Sequence, residues 1–493
     1  MRPTTKKLLA LSASLSLGLA ACGTDEVATP AVSGEAAAVE ETTTTTEAAP
    51  VASEPASADD PASTLRSTLT SLLQEHVYLA GAALETALDL GADDPSTEAA
   101  LAALDENTLA LGGVIGSVPG VDSPDDFVQL WQDHIGYFVD YAVARAGEDQ
   151  DGADQALADL EGYQQETADM LESLTDGELL ADEVFGELET HVTMITDTVD
   201  ALVDEDPEAL TLLRDAATHM DAVAFAIAEG VVSAHDEIPG EVASVPAETR
   251  ATLTSGLQEQ AYLLILAAEQ VVEAGGPEDP AVQAAVTLAE GSGEDLANTV
   301  GSATGTDERE AFLDVWRPHV EAVLAYAEAA ATGGDTGAAR GELDAASAAV
   351  ATTLGGLVGV DLGAGIDQHV QTVTAAIDAL AAADPAAWSL GRAAAQVMPS
   401  LAATLAPAIS AASAAGDAAS GQGTEGGAES DAGAGTTSGG GSEGSDSAGG
   451  GSASGGSAEG GATSGGSTAG GTTEDIEPAS DPSEDGSPTA EGG

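Results

Sequence analysis

The chain has 493 residues, with 11 basic against 85 acidic side chains and a formal net charge of −74. That balance excludes nucleic acid and anionic lipid headgroups as electrostatic partners and favours cations and basic partners instead. A single cysteine, Cys22, excludes an intrachain disulfide and any thiolate metal cluster.

Arg2, Lys6 and Lys7 precede an apolar run, Leu8 to Leu19, too short and too Ser-rich to span a bilayer. The run ends in Leu19-Ala20-Ala21-Cys22. This segment resembles the lipobox of bacterial lipoprotein precursors. The resemblance implies a signal peptide over 1–21, cleavage before Cys22 and diacylation of the Cys22 sulfur. The mature chain would then be held by its lipid at the extracytoplasmic face of the cell membrane.

Residues 22–62 are rich in Thr, Ala, Pro, Ser and Glu and show no apolar period. That composition predicts a disordered acidic tether, averaging roughly 30–40 Å end to end. Between about 63 and 413, apolar residues recur at three- and four-residue spacing, and Gly, Pro or Asp marks the breaks. Twelve helices and no strands follow. From 414 to 493 the chain is Gly, Ser, Ala, Thr and Glu, predicting a second disordered segment with no sorting motif or hydrophobic end.

The helical part repeats itself. LTSLLQEHVYL from Leu69 returns as LTSGLQEQAYL from Leu253, Trp131 to His134 as Trp316 to His319, and Asp206-Pro207 as Asp384-Pro385. The expected fold is all-α: two tandem six-helix units of repeated helical hairpins, 63–237 and 247–413, joined by the proline-bearing linker 238–246 and flanked by disordered segments. Within the first unit, QEHVYL, QDHIGYF and ETHVTMI place His76, His134 and His191 at a spacing of 58 and then 57 residues. Each lies on an apolar helix face, the commonest setting for a core histidine with one hydrogen bond.

The alternative is convergence. If three hairpins share an axis, His76, His134 and His191, with His219 as a fourth, form a ligand set for copper or zinc. The second unit carries Gln260, His319, His369 and Val397 in these places, a weakened copy. Trp131, Tyr137, Phe138, Tyr141, Trp316 and Tyr326 fit core packing better than a ligand box. Carboxylates nine residues after the repeat position, Glu85, Asp200, Glu269, Glu328 and Asp378, are expected to form a solvated stripe. No acid–base pair, catalytic triad or phosphate loop is indicated.

The Trp-x-x-His pattern followed by Asp140-Tyr141 resembles an uncharacterised helical domain of secreted Gram-positive proteins, some of which carry a domain labelled copper amine oxidase N-terminal. An amine oxidase activity is not implied, since neither Asn107 nor Asn298 precedes a Tyr. The sequence therefore favours a non-enzymatic, lipid-anchored binding or envelope-associated module, without cofactor. Its partner would be a cationic ligand or an envelope component, and its oligomeric state is open. A copper or zinc binder is the alternative.

Overall fold

The computed structural model describes residues 56–121, 123–276 and 279–421, with side chains through Ala414. The residues expected to be signal peptide and most of those expected to be tether, with Cys22, and the residues beyond Gly421 lie outside the described residues. The described part is all-α, with no strand. Twelve helices are present, the last broken at Gln396 and Val397 into two segments, Ala387–Ala395 and Met398–Gly421.

Aspartate and proline set many of the starts. Asp60 accepts the Ser63 N–H at 2.7 Å, and Pro61 occupies the first turn, where a missing N–H costs nothing. The first helix therefore begins at Pro61, two residues earlier than the apolar period suggests. Asp94-Pro95 and Asp279-Pro280 start two more helices in the same way. The last helix runs to Gly421, eight residues past the expected end, because its Ala-rich sequence extends the period.

In chain order the first repeat contains α1 (Pro61–Leu90), α2 (Pro95–Gly116), α3 (Pro124–Ala146), α4 (Gln150–Leu174), α5 (Ala181–Val203) and α6 (Ala209–Ala234). The second contains α7 (Val245–Ala274), α8 (Pro280–Thr304), α9 (Thr306–Thr332), α10 (Thr336–Val358), α11 (Gly363–Ala382) and the two segments α12 (Ala387–Ala395) and α13 (Met398–Gly421). Successive helices pack as hairpins, and the last helix of each repeat closes back on the first: α6 on α1, and α13 on α7. The two 30-residue helices, α1 and α7, also pack along each other, so both repeats belong to one body. Ala387–Ala414 is long and apolar enough to cross a membrane by length and composition. Here it packs on α7, α8 and α11.

The contact between the repeats is reciprocal. Tyr78 of α1 and Tyr262 of α7, equivalent residues, stack at 4.9 Å and 16°. Arg66 of α1 donates to the carbonyl of Val242, just before α7, at 2.9 Å. Arg250 of α7 donates to the carbonyl of Ala58, just before α1, at 2.7 Å. Both pairs are related by the same 184-residue step. Arg214 of α6 holds Glu259 of α7 through two nitrogens, at 3.0 and 2.8 Å. Arg392 of α12 holds Glu75 of α1 at 2.7 Å. Each repeat thus closes on an acid of the other.

Two local features seat the start of α1 in this contact. Residues 56–60, expected to be tether, belong to the fold, since Ala58 is buried and its carbonyl is taken by Arg250. Pro239 accepts the Ala62 N–H at 3.2 Å. Gly240 beside it has φ +119° and no room for a Cβ against Asp60 and Ala62, so only glycine fits there.

Glu75 is 1% exposed and also meets Asn107 and Tyr262. Removing Arg392 strands that carboxylate in the interior. Arg392→Leu should lower unfolding free energy by about 3–5 kcal/mol. The double variant Glu75→Gln/Arg392→Leu should recover part of the loss, because a neutral amide still meets Asn107 and Tyr262. Urea denaturation at pH 7 checks both. Equal stability of the single and double variants would contradict the arrangement.

Candidate functional site

The apolar seam of the first repeat closes on a pair of imidazoles. α1 contributes His76 and α3 contributes Trp131 and His134, all buried. Trp131 Nε1, which can only donate, donates to His76 Nδ1 at 3.3 Å. His76 therefore keeps its proton on Nε2 and donates it to His134 Nε2, also at 3.3 Å. The His134 ring lies flat on Tyr163 of α4, 4.4 Å between centroids and 15° between planes. Trp131, Phe138, Tyr141, Trp316 and Tyr326 are all buried among the apolar side chains of the core.

Of the four candidate ligands, the structure joins only His76 and His134. His191 packs edge-on against Phe138, with 6.5 Å between centroids. His191 and His76 line a cavity of about 10 Å³. His219 is half-buried on α6, with its Nε2 at 3.3 Å from the Glu187 carbonyl and 3.7 Å from the Glu187 carboxylate. Among the described residues no group of three or more His, Cys, Asp or Glu is placed to hold a metal ion. The Nε2 separation in the His76–His134 pair is close to the ~3.3 Å between two nitrogens on one tetrahedral metal. The Trp131 bond works against such use. An imidazole ligating through Nε2 must carry its proton on Nδ1, where the indole N–H of Trp131 points.

The second repeat departs from this arrangement. Gln260 stands in place of His76, and both its amide oxygen and amide nitrogen are buried without a partner. Trp316 Nε1, the equivalent of the Trp131 donor, is likewise unpartnered. His319 Nδ1 lies 3.0 Å from the Ser347 hydroxyl, and the rings of His319 and His369 are 5.7 Å apart. No tyrosine covers His319 as Tyr163 covers His134. A cavity of about 30 Å³ remains, lined by Gln260, Trp316, His319, Ser347 and His369 among aliphatic side chains.

Burial dominates the electrostatics. It lowers the imidazoles of His76, His191 and His319 to about 3 and that of His369 to about 4. His134 is pushed well down by burial, reinforced by His76 and His191. All five are neutral at pH 7 and are available as donors and acceptors, not as charges.

The expected solvated stripe of carboxylates is corrected by the packing. The face of α1 opposite its histidine is covered by α7, and the reverse, so Glu85 and Glu269 lie in the contact between the repeats instead of in water. Burial and mutual repulsion, with Glu273 and Asp89 contributing, raise Glu85 to about 7 and Glu269 further. Asp200 and Asp378 accept hydrogen bonds from the equivalent Tyr141 and Tyr326, at 3.0 and 2.8 Å. Glu328 and Asp378 are exposed, so the expectation holds for those two and fails for Glu85 and Glu269. The residues missed from sequence are Glu75, Glu259, Arg214 and Arg392. Their signal is present: among only eight arginines past the signal segment, two pairs recur at repeat spacing.

These shifts have opposite signs with pH. A histidine whose folded pKa is depressed stabilises the fold above its unfolded value near 6.5, and that stability is lost as pH falls toward 3 or 4. Glu85 and Glu269, with raised folded values, stabilise the fold below about 4.5; the Glu85 contribution is lost as pH rises through about 7, and that of Glu269 is lost in the same direction. Between pH 6.5 and 5, each buried histidine should cost up to about 1.4 kcal/mol per pH unit. Chemical denaturation at pH 7 and pH 5 should therefore show a smaller acid loss for His319→Gln/His369→Gln than for wild type. Glu269→Gln should stabilise more at pH 8 than at pH 5. Identical pH slopes for wild type and variants would contradict the assignment. Comparison of the chain with protein-family models, with curated proteins and with solved structures finds no match.

Proposed function

We propose that this protein is a lipid-anchored, extracytoplasmic, non-enzymatic binding module that presents an acidic helical surface to a cationic ligand or a basic envelope partner. The carrying observation is the use of its cations. All eight arginines between residues 56 and 421 are engaged within the fold. Arg66, Arg250, Arg214 and Arg392 join the two repeats. Arg145, Arg309, Arg317 and Arg340 pair with Asp200, Glu310, Glu294 and Asp344. What remains to face a partner is carboxylate. Around Tyr137, for example, partial burial raises the phenol and Asp133, Asp159, Glu166 and Asp140 add to the shift. The cavity of the second repeat, about 30 Å³, is too small for an ordinary substrate. The lipobox supplies the anchor through Cys22.

Two measurements test this reading. Cys22→Ser should move the protein from the membrane fraction to the medium, with the lipid mass lost from the N-terminal peptide. A wild-type product without that mass would sink the anchor. A labelled oligolysine should bind the purified protein with affinity falling at least tenfold between low and high salt, since exposed charges are screened within about 10 Å at 0.1 M. Asp133→Asn/Asp140→Asn/Asp159→Asn/Glu166→Gln should weaken it severalfold. Binding indifferent to salt and to these substitutions would overturn the acidic-surface reading.

A second reading, copper or zinc binding through the repeat histidines, has one observation in its favour, the 3.3 Å separation of the His76 and His134 Nε2 atoms. Calorimetric titration with each metal should give a signal that His76→Ala/His134→Ala abolishes. No heat from wild type, or the same heat from the variant, removes it.

A further inference from the structure

The second repeat keeps the seam of the first but leaves it open. In the first, the Trp131 N–H ends on His76 and the face of His134 is covered by Tyr163. In the second, Gln260 stands where His76 would, and the small Ser347 hydroxyl meets His319. The result is an internal cavity of about 30 Å³ with four unpartnered polar atoms on three of its lining side chains: Gln260 Oε1, Gln260 Nε2, Trp316 Nε1 and His369 Nδ1. Those side chains are 2%, 6% and 5% exposed. Buried polar groups are seldom left without a partner, and each bond forgone is costly.

We propose that this cavity is a binding site for a small neutral molecule carrying both a hydrogen-bond donor and an acceptor, the class of a small amide or alcohol, with water holding the same positions in its absence. The donor-only indole of Trp316 requires an acceptor on the ligand, and the Gln260 carbonyl requires a donor. The lining supplies no counter-charge, and its histidines are neutral, so an ion entering would lose its hydration without compensation. Size sets the other limit. At about 10–15 Å³ for each water-sized position, the cavity takes two such positions, or a ligand of about two or three non-hydrogen atoms. Aliphatic walls from Leu257, Val350, Leu354 and Leu401 exclude anything that needs more polar contact.

The indole N–H signals of the three tryptophans, Trp131, Trp316 and Trp388, report on this site in the ¹⁵N-labelled full chain, assigned through Trp316→Phe. Formamide is the probe. The Trp316 signal should shift saturably, with a midpoint no tighter than about 1 mM for so small a ligand, while Trp131, whose N–H is already bonded, stays in place. Gln260→His, which restores the residue of the first repeat, should give Trp316 an internal acceptor and abolish the response. Gln260→Leu should abolish it by removing the amide. The unchanged signals of Trp131 and Trp388 verify that each variant is folded. A Trp316 signal that is unmoved, that moves linearly together with Trp131, or that still saturates in Gln260→Leu would overturn the proposal.

Discussion

The structure depends on an exchange of arginines between its two repeats. Arg392 of the second repeat holds Glu75 of the first, and Arg214 of the first holds Glu259 of the second. Burying such ions costs several kcal/mol each in lost hydration, so the pairs are weak evidence of raw stability. Their effect is on register. The seams around them are rich in Ala and Leu, small and smooth side chains that tolerate sliding of one helix along another. A buried carboxylate with a single available guanidinium does not tolerate it. The second exchange, Arg66 with Val242 and Arg250 with Ala58, fixes the N-terminal ends of α1 and α7 in the same reciprocal manner. Residue i of one repeat meets residue j of the other, and j meets i. This is the geometry of a two-fold dimer, here made within one chain.

That exchange also governs what the outside looks like. A chain with 85 acids and 11 bases repels itself, and compactness costs free energy for that reason. Its few arginines sit where they offset most repulsion, between the repeats and beside the carboxylates that flank the seams. Among the described residues the arginines that reach the surface, such as Arg317, are paired there with acids. The acidity of the exterior and the cohesion of the interior therefore have one cause, and the reading of the protein as an acidic binding surface rests on how the interior uses its cations.

Much of this was legible in the sequence. The helices, the duplication and the histidine seam follow from period and spacing, and the Asp-Pro starts follow from capping chemistry. The crossing of partners between repeats was not legible, because periodicity shows which face of a helix is covered and is silent on which helix covers it. Glu85 and Glu269 show the difference. Their position nine residues beyond the seam residue places them on the opposite face, as expected. That face meets α7 or α1 instead of water, which inverts their electrostatics. The histidine set shows the same limit from the other side. Equivalent positions do place His76 and His134 in contact, but His191 packs edge-on against Phe138 instead of joining them, and no spacing rule encodes which ring a side chain meets.

The replacement of His76 by Gln260 is visible in the sequence, but its effect is a matter of hydrogen-bond accounting. In the first repeat one indole proton fixes the tautomer of His76, and through it that of His134, so the Trp131 N–H and both His76 nitrogens are paired and only His134 Nδ1 is left without a partner among these three side chains. With Gln260 in place of His76 the indole finds no partner, since neither amide atom of Gln260 pairs with Trp316 Nε1, and the absence of a tyrosine ring on His319 leaves the volume that would have closed the gap. Neither change alone would leave a site. A polar replacement in a filled seam strands a donor with no space beside it, and a lost ring in an apolar seam leaves a dry void. Together they leave space and unpartnered polar atoms in the same place, which is the condition for a buried seam to accept a molecule of its own.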